Sequence, residues 1–134
     1  MMDDRTAEIY NAAGGSDAPF YALVDAFYRG VEQDPDLRSL YPSDLTAAKE
    51  HLALFLIQRF GGHSAYGEKR GHPRLRMRHV PFVIGARERD AWLRHMRAAV
   101  QAVPALVPWT DVLERYFVDA AGFLVNKAEV PILS

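Results

Sequence analysis

Not one of the 134 residues is cysteine. That excludes disulfides, thiolate zinc sites, iron–sulfur clusters and any cofactor attached through a thioether. A metal ion would have to be held by nitrogen or oxygen, from His51, His63, His72, His79, His95 or the carboxylates. An excess of one charge is missing too. Sixteen basic residues face seventeen acidic ones, a net of −1, so no overall field draws the chain to nucleic acid or an anionic membrane. No apolar run approaches the length that spans a bilayer. The start, Met1-Met2-Asp3-Asp4-Arg5, lacks the basic flank and apolar stretch of a signal peptide. The reading is therefore of a soluble, cytoplasmic chain. H-E-x-x-H, a phosphate-binding glycine loop and a G-x-S-x-G elbow are absent. So are internal repeats and low-complexity linkers.

What is present is helical. The length suits one domain whose core can hold a small cofactor. Four segments repeat apolar residues at helical spacing, and none alternates like a strand for long. The first runs from about Ala18 to Glu32 after Ser16-Asp17, with Pro19 in its first turn. Its stripe is Phe20, Leu23, Val24, Phe27 and Val31, with Tyr28 on the side of Val24. The second follows Pro42-Ser43-Asp44, places Leu45, Ala48, Leu52, Phe55 and Leu56 on one face, and stops at Gly61-Gly62. The third starts near Ala86 and aligns Trp92, Met96, Ala99 and Val103 before Pro104. The fourth opens after Pro108 with Thr110 as its expected cap, and carries Leu113, Tyr116, Phe117, Ala120 and Leu124. Four amphipathic helices in one small domain predict an all-α fold. Between the second and third lies Gly61 to Pro81, a glycine-punctuated, mostly aperiodic loop of a length that usually serves function.

Within that loop Pro73 and Pro81 bracket seven residues. Proline suits the first turn of a helix, and Pro81 bars Val80 from helical geometry. About two turns remain, on which Leu75 and His79 share one face. An inward histidine on a short clamped helix is either satisfied by an interior acceptor or is a fixed metal ligand, and spacing leaves both open. The histidines at 63, 72 and 79 stand nine and seven apart, unlike common zinc motifs. Tyr28 and Trp92 lie on apolar faces, and Tyr41 precedes a proline. Such residues act either as core filler or as hydrogen-bond donors into an apolar pocket, where the bond is stronger than in water. Lys69, Arg70, Arg74, Arg76 and Arg78 oppose only Glu68 in this region. They form a solvated face or a site for a carboxylate or phosphate. Nucleic-acid contact is disfavoured, because Tyr66 is the only aromatic there.

Taken together these residues resemble the group II truncated haemoglobins, bacterial globins with a two-over-two helical sandwich. The resemblance covers about Phe20 to Val125 and is carried by Arg70-Gly-His-Pro-Arg-Leu-Arg-Met-Arg-His79 and Glu88-Arg-Asp-Ala-Trp-Leu-Arg94. Phe27-Tyr28, Leu40-Tyr41-Pro42, Gly14-Gly15 and Gly61-Gly62 add to it. It implies a truncated globin domain at 18–127, preceded by an extension with a short first helix at 1–17 and followed by a tail at 128–134. His79 then matches the proximal haem ligand, and Trp92 the group's signature distal tryptophan. Tyr28 and Tyr41 match the two distal tyrosines of one subset. Ala48, Leu52 and Phe55 belong to the distal helix, with Ala48 where vertebrate globins carry a distal histidine. Arg78, Arg76, Tyr66 and His51, in that order, are the candidates for the haem propionates. Two departures stand out. His51 replaces the family's frequent Lys or Arg, which makes anchoring there weaker or pH-dependent. Arg59-Phe60 replaces Tyr-Trp before the second glycine pair.

The implied cofactor is non-covalent haem b, and the implied ligands are O₂, NO and CO. Imidazole leaves the sixth iron position open, and distal polarity decides between binding and activation of oxygen. Tyr O–H and Trp N–H can donate to a partly anionic ligand. A strong donor network slows release, which favours redox chemistry (NO dioxygenation or peroxidase-like turnover) over oxygen transport. Catalysis would need a separate electron donor, because no flavin or nicotinamide motif is present. The alternatives are a diatomic-ligand sensor or storage protein, and a haem-free helical interaction module. A homodimer stands open beside a monomer.

Overall fold

The computed structural model describes residues 4–71 and 84–125. Every regular element among them is helical. A 3-10 turn at Asp4–Glu8 runs into α1 (Ile9–Ala12), followed by α2 (Ala18–Glu32), α3 (Pro35–Arg38) and α4 (Thr46–Arg59). Then come α5 (Ala65–Arg70), α6 (Ala86–Gln101) and α7 (Thr110–Leu124), the last entered through a 3-10 turn at Val107–Trp109. The bracketed segment with Leu75 and His79 lies outside the described residues. None of the described helices is long and apolar enough to cross a membrane.

The four long helices match the expected apolar segments, and α2 is their hub. It packs on both α4 and α6, and α6 packs on α7. Phe20, Leu23, Val24, Phe27 and Val31 are buried together with Tyr28. A fully buried Phe or Leu stabilises the fold by about 1.5–3 kcal/mol, so this stripe anchors the core. Close docking of α2 on α6 depends on Gly30, where a Cβ would stand 2.5 Å from Nδ1 of His95.

Three expectations need correction. The second helix was expected to bury one face, but α4 is apolar on two. Ala53, Leu54, Leu56 and Ile57 are buried in the core, while Ala48, Leu52 and Phe55 are only partly covered. A single-stripe reading misses a helix that packs on a neighbour with one side and faces a cavity with the other. The expected aperiodic loop begins with α5, which is too short for a periodicity signal. Thr110 does not cap α7 with its side chain. It is the first helical residue, and its hydroxyl donates to the Val107 carbonyl at 2.6 Å while accepting from Gln101 Nε2 at 3.0 Å. The preceding 3-10 turn moves the helix start one residue earlier than a cap at Thr110 requires.

The first helical turns are part of the packed body. Ile9 is fully buried, and Tyr10 N–H donates to the Phe60 carbonyl at 2.9 Å. Gly61 makes this possible. Its φ is +96°, and a Cβ would lie 1.9 Å from the Ala7 carbonyl oxygen, so only glycine lets the two backbones meet.

Candidate functional site

The inner faces of α2, α4, α6 and α7, with α5 and the loop from α3 to α4, enclose a cavity of about 380 Å³. Tyr28, Tyr41, Ala48, His51, Leu52, Phe55, Tyr66 and Trp92 all line it. Residues as far apart in sequence as Tyr28 and Trp92 are thereby brought to one space. His79, Arg78 and Arg76 lie outside the described residues.

Three polar groups converge on one wall of this mostly carbon-lined space. Tyr28 comes from α2, Trp92 from α6, and Tyr41 from the loop between α3 and α4. The rings of Tyr28 and Tyr41 meet edge to face, with centroids 5.4 Å apart at 85°. Trp92 is wedged edge-on between Phe27 at 5.3 Å and Phe117 at 5.6 Å. Interaction with the Tyr28 phenol and the Trp92 indole favours the ionised form of the Tyr41 hydroxyl. The indole N–H can only donate. Burial first, then interaction with Tyr41, holds the Tyr28 phenol far above its ordinary range. Tyr28 thus keeps its proton. Burial pushes Tyr41 up to about 12, against the lowering effect of both donors. Both phenols are neutral at any physiological pH. A neutral Tyr41 keeps its O–H as a donor for a group in the cavity.

The walls suit a flat apolar cofactor. Leu52, Phe55, Trp92 and Tyr116 face inward, yet the protein covers each only in part. Apolar surface of that kind is left for a hydrophobic group to cover. His51 and Arg89 supply nitrogen donors in the same lining, suited to carboxylates. Tyr66 is buried, with its ring on the edge of Phe55 at 5.4 Å. The residues present fit a haem.

Sequence reasoning missed the far wall. Tyr116, Phe117, Ala120, Ala121 and Leu124 of α7 line the cavity, although most were visible as that helix's apolar stripe. The stripe alone could not say whether it met protein or cavity. Leu40, Ile84 and Arg89 were missed as well. The Arg59-Phe60 departure reaches this wall from behind. The Arg59 guanidinium sits 4.8 Å over the Tyr116 ring and donates to Thr6 Oγ1 at 2.9 Å, while Phe60 packs on Tyr116 at 5.2 Å. Of the expected basic cluster, Lys69 pairs with Glu50 at the surface.

Residues 8–112 match the model of the bacterial-like globin family. Group 2 truncated hemoglobin YjbI of Bacillus subtilis is 46% identical over 81 residues, which span 60% of this chain and 61% of that protein. A hemoglobin of the thermophilic phototroph Chloroflexus aurantiacus superposes with a TM-score of 0.85 at 54% identity, covering 89% of this chain and 98% of its own. The truncated haemoglobin structure from Bacillus subtilis gives a TM-score of 0.81 at 37% identity, covering 88% and 98%. The chain belongs to the bacterial-like globins, among the group II truncated haemoglobins, and has their two-over-two helical fold.

Proposed function

We propose that this globin holds haem b through His79 and retains O₂ by hydrogen bonding from the Tyr28, Tyr41 and Trp92 group. NO and CO are further ligands in this reading, and redox chemistry on the bound ligand is favoured over oxygen transport. Membership of the family implies haem-based binding of O₂ or another diatomic ligand. The observation that carries the finer reading is the convergence of two phenols and an indole in a mostly apolar cavity. Haem, when bound, supplies an iron with a coordination position for the ligand.

The protein's own part is donation and exclusion. Tyr41 has its oxygen polarised by Tyr28 and Trp92, which strengthens its remaining O–H as a donor. Its neutrality is needed, because a phenolate would repel a partly anionic ligand. Ala48, Leu52 and Phe55 keep water from the same space, which raises the worth of each donor bond. A ligand held by such a network leaves slowly, which suits turnover to nitrate or peroxidase-like reaction better than delivery. Electrons would come from a separate donor. The related Bacillus subtilis protein is described as oxygen-avid, which agrees with retention. Arg78, Arg76, Tyr66 and His51 are proposed for the propionates, joined now by Arg89. Absence of cysteine makes the attachment non-covalent.

The test is a visible spectrum of the purified protein as isolated, after dithionite, and after carbon monoxide. A Soret band that moves at both steps is expected. His79→Ala should abolish stable haem uptake; normal occupancy and spectrum in that variant would sink the ligand assignment.

A further inference from the structure

Tyr41 sits on a loop, the least rigid place for a group whose position matters, and a single side chain ties that loop down. Arg38, the last residue of α3, sends its guanidinium forward along the chain. One terminal nitrogen donates to the Tyr41 carbonyl at 3.2 Å and to the Pro42 carbonyl at 3.0 Å. The other donates to the Ser43 carbonyl at 3.1 Å. Three successive carbonyls thus turn toward one planar cation. The backbone adds Tyr41 N–H to the Arg38 carbonyl at 3.2 Å, so residue 41 is held to residue 38 from both sides. Pro42 has no N–H and restricts Tyr41 to extended geometry. Beyond the loop, Asp44 Oδ1 accepts from Thr46 N–H at 2.9 Å and starts α4.

We infer that Arg38 is a positioning residue, whose grip on the Tyr41-Pro42-Ser43 backbone sets where the Tyr41 hydroxyl stands in the cavity and hence how tightly bound ligand is held. The inference rests on the haem reading above. It differs from a generic surface contact in two respects. The guanidinium fork spans three acceptors that an ammonium, as a point charge, cannot hold in one plane. The residue it fixes also meets the Tyr28 ring edge to face at 5.4 Å and lines the same cavity as Trp92.

The experiment compares the native chain with Arg38→Ala, Arg38→Lys, Tyr41→Phe and the Arg38→Ala/Tyr41→Phe double variant. In the chain without haem, ¹³C-tyrosine ring resonances are recorded, with Tyr41 assigned by its loss in Tyr41→Phe. In the haem-loaded proteins, the C–O stretching frequency of the ferrous CO adduct and the O₂ dissociation rate are measured. Arg38→Ala should move the Tyr41 resonance, shift the C–O band toward that of Tyr41→Phe, and raise the off-rate at least threefold. Arg38→Lys should recover only part of each change. The double variant should release O₂ no faster than Tyr41→Phe alone, as residues acting through one another require. Arg38→Ala with the resonance, band and off-rate in place would overturn the inference, whatever its melting temperature. Should the native chain take up no hemin, the haem reading falls, and the Tyr41 resonance still decides whether Arg38 positions that ring.

Discussion

Tyr28, Tyr41 and Trp92 hold unequal places in the proposed distal network. There Tyr28 and Trp92 donate to the Tyr41 oxygen, which leaves Tyr41 as the donor proposed to face a ligand. Removing it with Tyr41→Phe should raise the O₂ dissociation rate about tenfold, the equivalent of one hydrogen bond of about 1.4 kcal/mol. Trp92→Phe and Tyr28→Phe remove only polarisation and should raise it less, by about two- to fivefold. Stopped-flow displacement of O₂ by CO measures all three. Equal, native off-rates throughout would remove the distal argument. Tyr28 and Trp92 were legible in sequence because a polar aromatic on an apolar helical stripe is conspicuous. Their ranking was not, because it depends on a bond shared among α2, α6 and a loop.

At the scale of elements, the Asp34 carboxylate ties the start of α3 to α6. Asp34 caps α3 by accepting from Asp36 N–H at 2.9 Å, and it also accepts from His95 Nε2 at 2.6 Å and Arg94 at 3.0 Å. The bond to His95, then that to the Asp36 amide, holds its carboxyl below the ordinary value of 3.8, against burial. A carboxylate whose pKa is lowered on folding adds stability that is present above the unfolded value and lost as pH falls through the folded one. Acid should therefore cost stability from about pH 4 downward, and Asp34→Asn should flatten that part of the curve. Asp34→Ala should lower stability at neutral pH by about 2 kcal/mol, from the lost cap and charged bonds. Denaturant titrations at pH 7 and across the acid range check both. Elsewhere at this scale, both ends of α2 and the start of α6 were legible because proline and an uninterrupted stripe mark them. The two-faced α4 was read only by half, and α5 was too short to register.

Over the whole molecule, helices are arranged so that apolar side chains remain partly uncovered around an interior space. Leu52, Phe55, Trp92 and Tyr116 contribute to it from three helices. A hydrophobic cofactor that fills such a space binds the folded chain and not the unfolded one, and so stabilises it by mass action. With haem at about a thousand times its dissociation constant the gain is about 4 kcal/mol. For a chain of this length that is a rise in melting temperature of about 10 °C or more. Calorimetry of the haem-free and hemin-loaded chain measures it, and identical melting temperatures would speak against haem as the occupant.

Sequence by itself determined the four long helices, their approximate ends, the exclusion of thiolate chemistry, and the motif residues that mark a globin. These are local or compositional properties: periodicity, proline and glycine placement, and residue type are written along the chain. Tertiary structure alone decided that α4 divides its apolar residues between core and cavity, and that α7 supplies the far wall. It also decided that Tyr41 meets Tyr28 in the cavity, that Arg38 grips the loop beneath it, and that Asp34 finds His95. Hydrophobic burial is non-directional, so a stripe says that a face is covered without saying by what. Hydrogen bonds are directional and short, so a bond between residues as far apart as Asp34 and His95 exists only once the helices have docked.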